Sequence, residues 1–254
     1  FDGAPRGINM GRRVPDDFAD FSKYLGSGVK ALFSFRSGGD MKDSANMEAF
    51  ARRHFAGALP VYAKQSHGTV LKEADIQTPS PQPDVDVLVT LDRNVVLLIF
   101  TADCIPVYFY DAQASFAGII HAGWRGVSKN IIISTMDSIE KKYPLRMSSL
   151  KTVLGPGICR RHFEVSEELA HVFPEIYVKE KKGKKFVDLK LIIKQQLESS
   201  GVKHQNIHDS GLCSFEEGNI FSYRRDKTPE RGCAFIRLLS GQAPSPSILE
   251  GFVV

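Results

Sequence analysis

Short apolar blocks alternate with polar turns along this chain, and the blocks change period. Val29–Phe35, "VKALFSF", reads as a strand that runs into the turn "RSGGD". From Asn46 to Ala56 the spacing of Met47, Phe50, Ala51 and Phe55 is helical. "PVYAKQSHGT" reads as a strand that opens into a loop at His67, and the Pro-rich "DIQTPSPQPDVD" reads as a connector. The runs "VDVLVT", "VVLLIF", "IPVYFYD" and "SFAGIIHAG" follow, apolar enough to predict strands buried on both faces. A helix is predicted over Lys129–Tyr143, with Ile132, Met136 and Ile139 on one stripe and Pro144 just past its end. "LKTVLGPG" predicts a strand and turn. "EVSEELAHVF" predicts a helix capped near Ser166, and "VDLKLIIKQQLESSG" a helix closed by Gly201. "CAFIRLL" predicts a last strand, and the tail "SGQAPSPSILEGFVV" is loose by composition. No repeat or linker interrupts this order. The expectation is an α/β fold, a mixed sheet with flanking helices in a single domain whose core spans about residues 29–239.

Composition narrows the class. The chain has 254 residues, 43% hydrophobic and 24% charged, as a globular protein does. A net charge of +4 suits an anionic small substrate without requiring one, and no nucleic-acid-reading motif is present. The basic cluster Lys179–Lys185, "KEKKGKK", is open to a phosphate or RNA reading, and the expectation is a solvated hairpin tip around Gly183. Four cysteines, Cys104, Cys159, Cys213 and Cys233, form no CxxC pair. They predict a reducing compartment rather than a disulfide framework. The longest apolar runs fall far short of the ~20 residues of a membrane helix. A cytoplasmic protein is expected. The chain opens on Phe1 rather than Met, so the expectation is a start inside a longer natural chain.

The chemistry concentrates at strand exits. His67, Cys104 and His121 each end a strand-like segment and enter a loop. Strand ends along one edge bring distant positions into one site. Two His and one Cys suit zinc or copper, with a fourth position left open. Taken singly, each is equally a packed Cys or a hydrogen-bonded His. "HAGWRGVSKN" places a glycine turn before a helix start, where free N–H groups and Arg125 favour an anion. A tight turn packed on Trp124 is the alternative. Arg36 repeats the design of strand, cation and glycine pair, against a plain surface ion pair. Asp103 is placed to orient Cys104 or to accept a proton, and "SYRRD" offers Arg224 and Arg225.

"TADCIPV", "HAGWRG", "QSHG", "LGPGI…FEV" and "FSYRRD" resemble the YfiH-type, laccase-domain family, also called multicopper polyphenol oxidases, from about Val29 to Leu239. Its members are purine nucleoside phosphorylases that also deaminate adenosine. The resemblance implies a single-domain α/β fold and a zinc site, with the family's metal-binding histidines on His67 and His121 and its cysteine on Cys104. Its arginine before the double glycine falls on Arg36, and Gln65 and Arg125 become candidates for substrate or phosphate. Three features depart from the pattern. The long loop that usually follows R-x-G-G is all but missing in "RSGGDMKDSAN". Cys159 stands where glycine is usual. "TPERG" replaces T-G-R, so no role falls on Arg231.

The activity implied is phosphorolysis, in which phosphate attacks C1′ of a purine nucleoside (adenosine, inosine, guanosine or 5′-methylthioadenosine) and releases the base. Zinc would also serve adenosine deamination. The expected partners are the nucleoside and phosphate, with no nucleic acid or membrane, in a monomer or homodimer. Cys104 as nucleophile is the alternative to Cys104 as ligand. Copper-dependent phenol oxidation is the rival activity. A multicopper cluster draws on many histidines in H-x-H pairs, and this chain has seven His and no such pair. A metal-binding module without turnover is the non-enzymatic alternative.

Overall fold

The computed structural model describes residues 17–239, so the tail after Leu239 lies outside the described residues. Two mixed six-stranded sheets carry the fold. The first runs Phe18–Asp20, Val29–Ser34, Gly232–Leu238, Val95–Thr101, Leu59–Lys64, Gln82–Pro83 from edge to edge. The second runs Ile207–Asp209, Lys151–Leu154, Ile105–Asp111, Phe116–Ala122, Val87–Thr90, Leu71–Glu73.

The strands are apolar on both sides because each sheet is covered twice. Leu97, Ile99 and Ala234 of the first sheet pack against Leu88, Tyr108 and Ile119 of the second, forming a central layer. The Tyr108 hydroxyl crosses that layer to donate to the Leu32 carbonyl at 2.8 Å. The outer face of the first sheet, Leu98 and Phe235 among it, takes Met47 and Phe50 of helix Ser44–His54. The outer face of the second, with Val107 and Ile120, takes Ile132, Met136 and Ile139 of helix Ile131–Lys142 and Ile193 and Leu197 of helix Leu189–Ser199. Each fully buried aliphatic side chain contributes about 1.5–3 kcal/mol. The mixed α/β expectation holds, with two sheets face to face between helical layers.

Local signals moved some boundaries. The Asp43 carboxylate accepts from the Ala45 N–H, so the first long helix starts at Ser44 rather than Asn46. The helix expected over Lys129–Tyr143 runs Ile131–Lys142, its start set by Asn130, whose φ of 58° is left-handed and separates it from a short helix, Trp124–Ser128. Ser166 caps as expected, accepting from Leu169 N–H, but the helix it opens is only Glu167–Ala170. The Pro-rich connector contributes the edge strand Gln82–Pro83. The Lys179–Lys185 cluster is a hairpin tip, with Lys182 and Gly183 turning between Val178–Lys181 and Lys184–Val187. Glu180 and Glu164 pair with two of its lysines there. The chain after Arg36 closes in a short turn before Ser44, with Asp40 accepting from the Arg231 N–H at 2.9 Å. No helix among the described residues is long and apolar enough to cross a membrane.

Candidate active site

Topology explains why three distant residues meet. Leu59–Lys64 and Val95–Thr101 are parallel neighbours in the first sheet, so both leave it at one edge. Each then crosses to the second sheet, and the crossings carry His67 and Cys104. Phe116–Ala122 runs antiparallel to Ile105–Asp111, so its end returns to the start of that strand, with His121 opposite Pro106. The candidate ligand atoms of His67, Cys104 and His121 all lie within 4.8 Å of one another. The two imidazoles meet edge to face, centroids 4.8 Å apart.

Asp86, which sequence reasoning missed, organises this group. It is fully buried at the start of Val87–Thr90. One carboxylate oxygen accepts from His121 Nδ1 at 2.7 Å and from the His67 N–H at 3.1 Å. The other accepts from the Gly68 N–H at 2.7 Å and from the Ser66 N–H and hydroxyl at 3.3 and 3.4 Å. A carboxylate on Nδ1 fixes the proton there and leaves Nε2 for the thiol side. Burial by itself would raise the Asp86 carboxyl, yet the His121 hydrogen bond and the Gly68 and Ser66 N–H groups hold it below its usual range.

Burial also opposes charge on Cys104, but the adjacent His121, with hydrogen bonds from both histidines, brings its thiol down to about 6. Burial would lower His121, and the Cys104 and Asp86 charges instead raise it to about 9. The two shifts share one cause, since each group favours the charged form of the other. Gly123 closes the group from behind. A Cβ there would lie 2.9 Å from Cys104 Sγ and 3.1 Å from the His67 ring. Two imidazoles and a thiolate on rigid crossings, packed too tightly for one methyl group, fit a soft divalent metal.

These residues form one wall of a cavity of about 930 Å³. Gln65, Arg125, Asp103 and Arg224 also line it, as do Lys42, Lys64 and Arg231, for which no role was expected. Of these, Lys42, Lys64, Arg125, Arg224 and Arg231 make no ion pair with a carboxylate among the described residues. Asp103, the one carboxylate on the wall, is taken up elsewhere. Its φ is 94°, and its oxygens accept from the Ser214 and Ser222 hydroxyls and the Arg224 N–H at 2.6–2.7 Å. The cavity is therefore strongly cationic. Met41, Met47, Tyr62, Phe100, Trp124, Ile158, Phe163 and Tyr223 supply its apolar surface.

Other candidates sit differently. Gln65 uses both ends of its amide on the Phe100 backbone, at 2.7 and 2.9 Å. Arg125 lies over the Trp124 ring, 4.5 Å from its centroid. Arg36 does not line the cavity. It pairs with Asp226 at 2.9 Å and lies over Phe221. Arg225 turns inward onto the Ser214, Phe215, Glu217 and Ile220 carbonyls and Asp226.

The family model for multi-copper polyphenol oxidoreductase laccase matches residues 30–239. The chain belongs to this family. A purine nucleoside phosphorylase of Campylobacter jejuni is 30% identical over 174 residues, 68% of this chain and 74% of the relative. The purine nucleoside phosphorylase YfiH of Shigella flexneri is 31% identical over 241 residues, 85% and 96% of the two chains. The crystal structure of the hypothetical protein YfiH of Bacillus licheniformis superposes with a TM-score of 0.77 at 25% identity, covering 83% of this chain and 92% of that one. The YfiH-type resemblance of the motifs is thus matched at the level of the whole family.

Proposed function

We propose that this chain is a purine nucleoside phosphorylase that also deaminates adenosine. One observation carries the reading. A cavity with room for a nucleoside and phosphate together sets a Cys–His₂ group beside cations that have no carboxylate partner among the described residues, so one space offers both a metal-binding wall and an anion-binding wall. The names of the curated relatives support it.

In the phosphorolytic reaction a phosphate oxygen attacks C1′, the glycosidic bond breaks, and the base leaves as ribose 1-phosphate forms. Arg125, Arg231 and Lys42 hold the phosphate, since none of them is paired with a carboxylate among the described residues that would compete for it. Trp124, Phe163 and Tyr223 supply flat or apolar surface for base and sugar. His67, Cys104 and His121 would hold zinc, or copper where copper is abundant. Zinc there supplies a Lewis acid that polarises substrate atoms and makes water a stronger nucleophile near neutral pH. Asp86 keeps His121 in one tautomer. Gln65 ties the end of Val95–Thr101 beside the cavity. Arg36 has a supporting part. Through Asp226 it holds the short helix Tyr223–Asp226, which brings Tyr223 and Arg224 to the cavity.

The rival, copper-dependent phenol oxidation, has the family's name in its favour. Among the described residues, however, His54, His171, His204 and His208 engage Asp17, Glu167, Glu198 and Tyr24, away from the triad. His162 stands in a separate group with Cys159, Cys213 and Glu216, so the triad offers the ligands of one ion and not of a cluster.

The test incubates zinc-loaded protein with adenosine, with and without phosphate, beside a Cys104→Ala variant, and separates the products by chromatography. Phosphate-dependent adenine and ribose 1-phosphate, lost in the variant, are expected, with phosphate-independent inosine from deamination. Turnover of a phenol by copper-loaded protein, with no nucleoside product, would overturn the reading.

A further inference from the structure

A second side-chain cluster lies behind the cavity wall, apart from the triad. Its sequence signature is a repeated spacing, Cys159-x-x-His162 and Cys213-x-x-Glu216. Both pieces are tight turns that close on their own cysteine. The His162 N–H donates to the Cys159 carbonyl and the Glu216 N–H to the Cys213 carbonyl, each at 3.0 Å. A parallel bridge between Gly157 and Cys213 brings the two turns together. The Cys159 N–H also points at Cys213 Sγ, 3.3 Å away, the kind of contact that steadies a thiolate.

The four donor atoms all lie within 4.8 Å of one another. His162 Nδ1 lies 3.4 Å from Cys159 Sγ, 3.7 Å from Cys213 Sγ and 3.4 Å from a Glu216 oxygen, and that oxygen lies 3.9 Å from Cys159 Sγ. Tetrahedral zinc, with bonds of about 2.3 Å to sulfur and about 2.0–2.1 Å to nitrogen and oxygen, sets S···N near 3.6 Å and N···O near 3.4 Å. The donors are also held from outside. The His162 ring stacks on Phe215 at 4.3 Å and 13°, and Arg161 donates at 2.6 and 3.1 Å to the same Glu216 oxygen that faces His162, which leaves the second carboxylate oxygen as the alternative donor.

We propose that Cys159, His162, Cys213 and Glu216 form a second, structural zinc site. Four protein donors close the coordination sphere, so the ion is a staple rather than a reagent. What it staples matters to the cavity. Ser214 holds Asp103, the residue before Cys104, and the Asp103 carbonyl accepts from the Ile158 N–H, the residue before Cys159. Arg224 of the cavity wall reaches the His162 and Glu164 carbonyls.

The experiment uses the full chain in a Cys104→Ala background, which removes the triad's thiolate and keeps the two sites distinguishable. After zinc loading and desalting under reducing conditions, one tightly held zinc per chain is expected by elemental analysis and native mass spectrometry. Cobalt(II) in its place should show thiolate-to-metal charge transfer, abolished by adding Cys213→Ser. Because Cys213 is buried and its loss could unfold the loop, Glu216→Gln is the second variant. It should keep the wild-type circular dichroism while zinc affinity falls by at least about tenfold in chelator competition. No retained zinc, cobalt bound without charge transfer, or affinity untouched by Glu216→Gln would overturn the proposal. So would a Cys159–Cys213 disulfide in the protein as purified, seen as a mass loss of two hydrogens.

Discussion

Asp86→Asn is the sharpest perturbation this site allows. It removes a charge and leaves the shape. Every partner of Asp86 is a donor, and the donors divide between its two oxygens: His121 Nδ1 and the His67 N–H on one, Gly68 and Ser66 on the other. An amide has one acceptor oxygen and one NH₂ group. If the oxygen stays with His121, the NH₂ faces the Gly68 N–H across 2.7 Å. If the amide flips, the NH₂ faces His121 and frees its tautomer. Either way about two part-buried donors lose their acceptor, each at about 1–3 kcal/mol, so a net loss of about 2–6 kcal/mol is expected. The assay is urea unfolding with a chelator present, so that metal linkage does not enter. Zinc competition on the folded variant is the companion measurement, with affinity down by about 10–100-fold from loss of the ligand's partner. An Asp86→Asn protein with wild-type unfolding midpoint and wild-type zinc affinity would refute the whole account of how the triad is held.

Gly123→Ala adds no backbone strain at φ −81° but pushes a methyl group onto Cys104 and His67. It should destabilise by about 1–3 kcal/mol and lower zinc content, read by thermal unfolding and elemental analysis. Arg231→Ala should raise the KM for phosphate several-fold while leaving zinc content unchanged, as steady-state kinetics would show. Lys190 and Lys194 hold Asp209. Burial would raise its carboxyl, but Lys190 chiefly, with Lys194 and the Gly211 N–H, brings it from 3.8 to about 2. A depressed carboxyl stabilises above its unfolded value and loses that stability as pH falls through the folded one. The stability gap between wild type and Asp209→Asn should therefore narrow by about 2 kcal/mol between about pH 5 and about pH 1, measured by denaturant titration.

The apolar runs and the triad were legible because both obey local rules. Strands buried on both faces show no alternation, and a Cys or His at a strand exit before glycine stands out against them. Asp86 was not legible. In "QPDVDVLVT" it looks like one of two turn acids, and its bond to His121 spans 35 positions. The second cluster was hidden in the same way. Cys159 and Cys213 stand 54 apart, and only the bridge at Gly157 makes their two turns one object. The repeat of Cys-x-x-donor was the available signal. Arg36 shows the limit of local design. Its strand, cation and glycine pair left an anion contact and an ion pair both open, and the carboxylate it pairs with, Asp226, stands 190 positions away. The helix expected from Lys129 is present and starts two residues later, because nothing in the apolar stripe announces a left-handed Asn130.

Only Ala102, Asp103 and Cys104 separate the strand Val95–Thr101 in one sheet from Ile105–Asp111 in the other. That corner has no slack, so an inserted or deleted residue there would misalign the whole sandwich. The facing wall is built outside the sheets, from the turn before helix Ser44–His54 and from residues 223–231. Descendants of this architecture are thus free to explore new substrates along one rim while inheriting the metal wall unchanged.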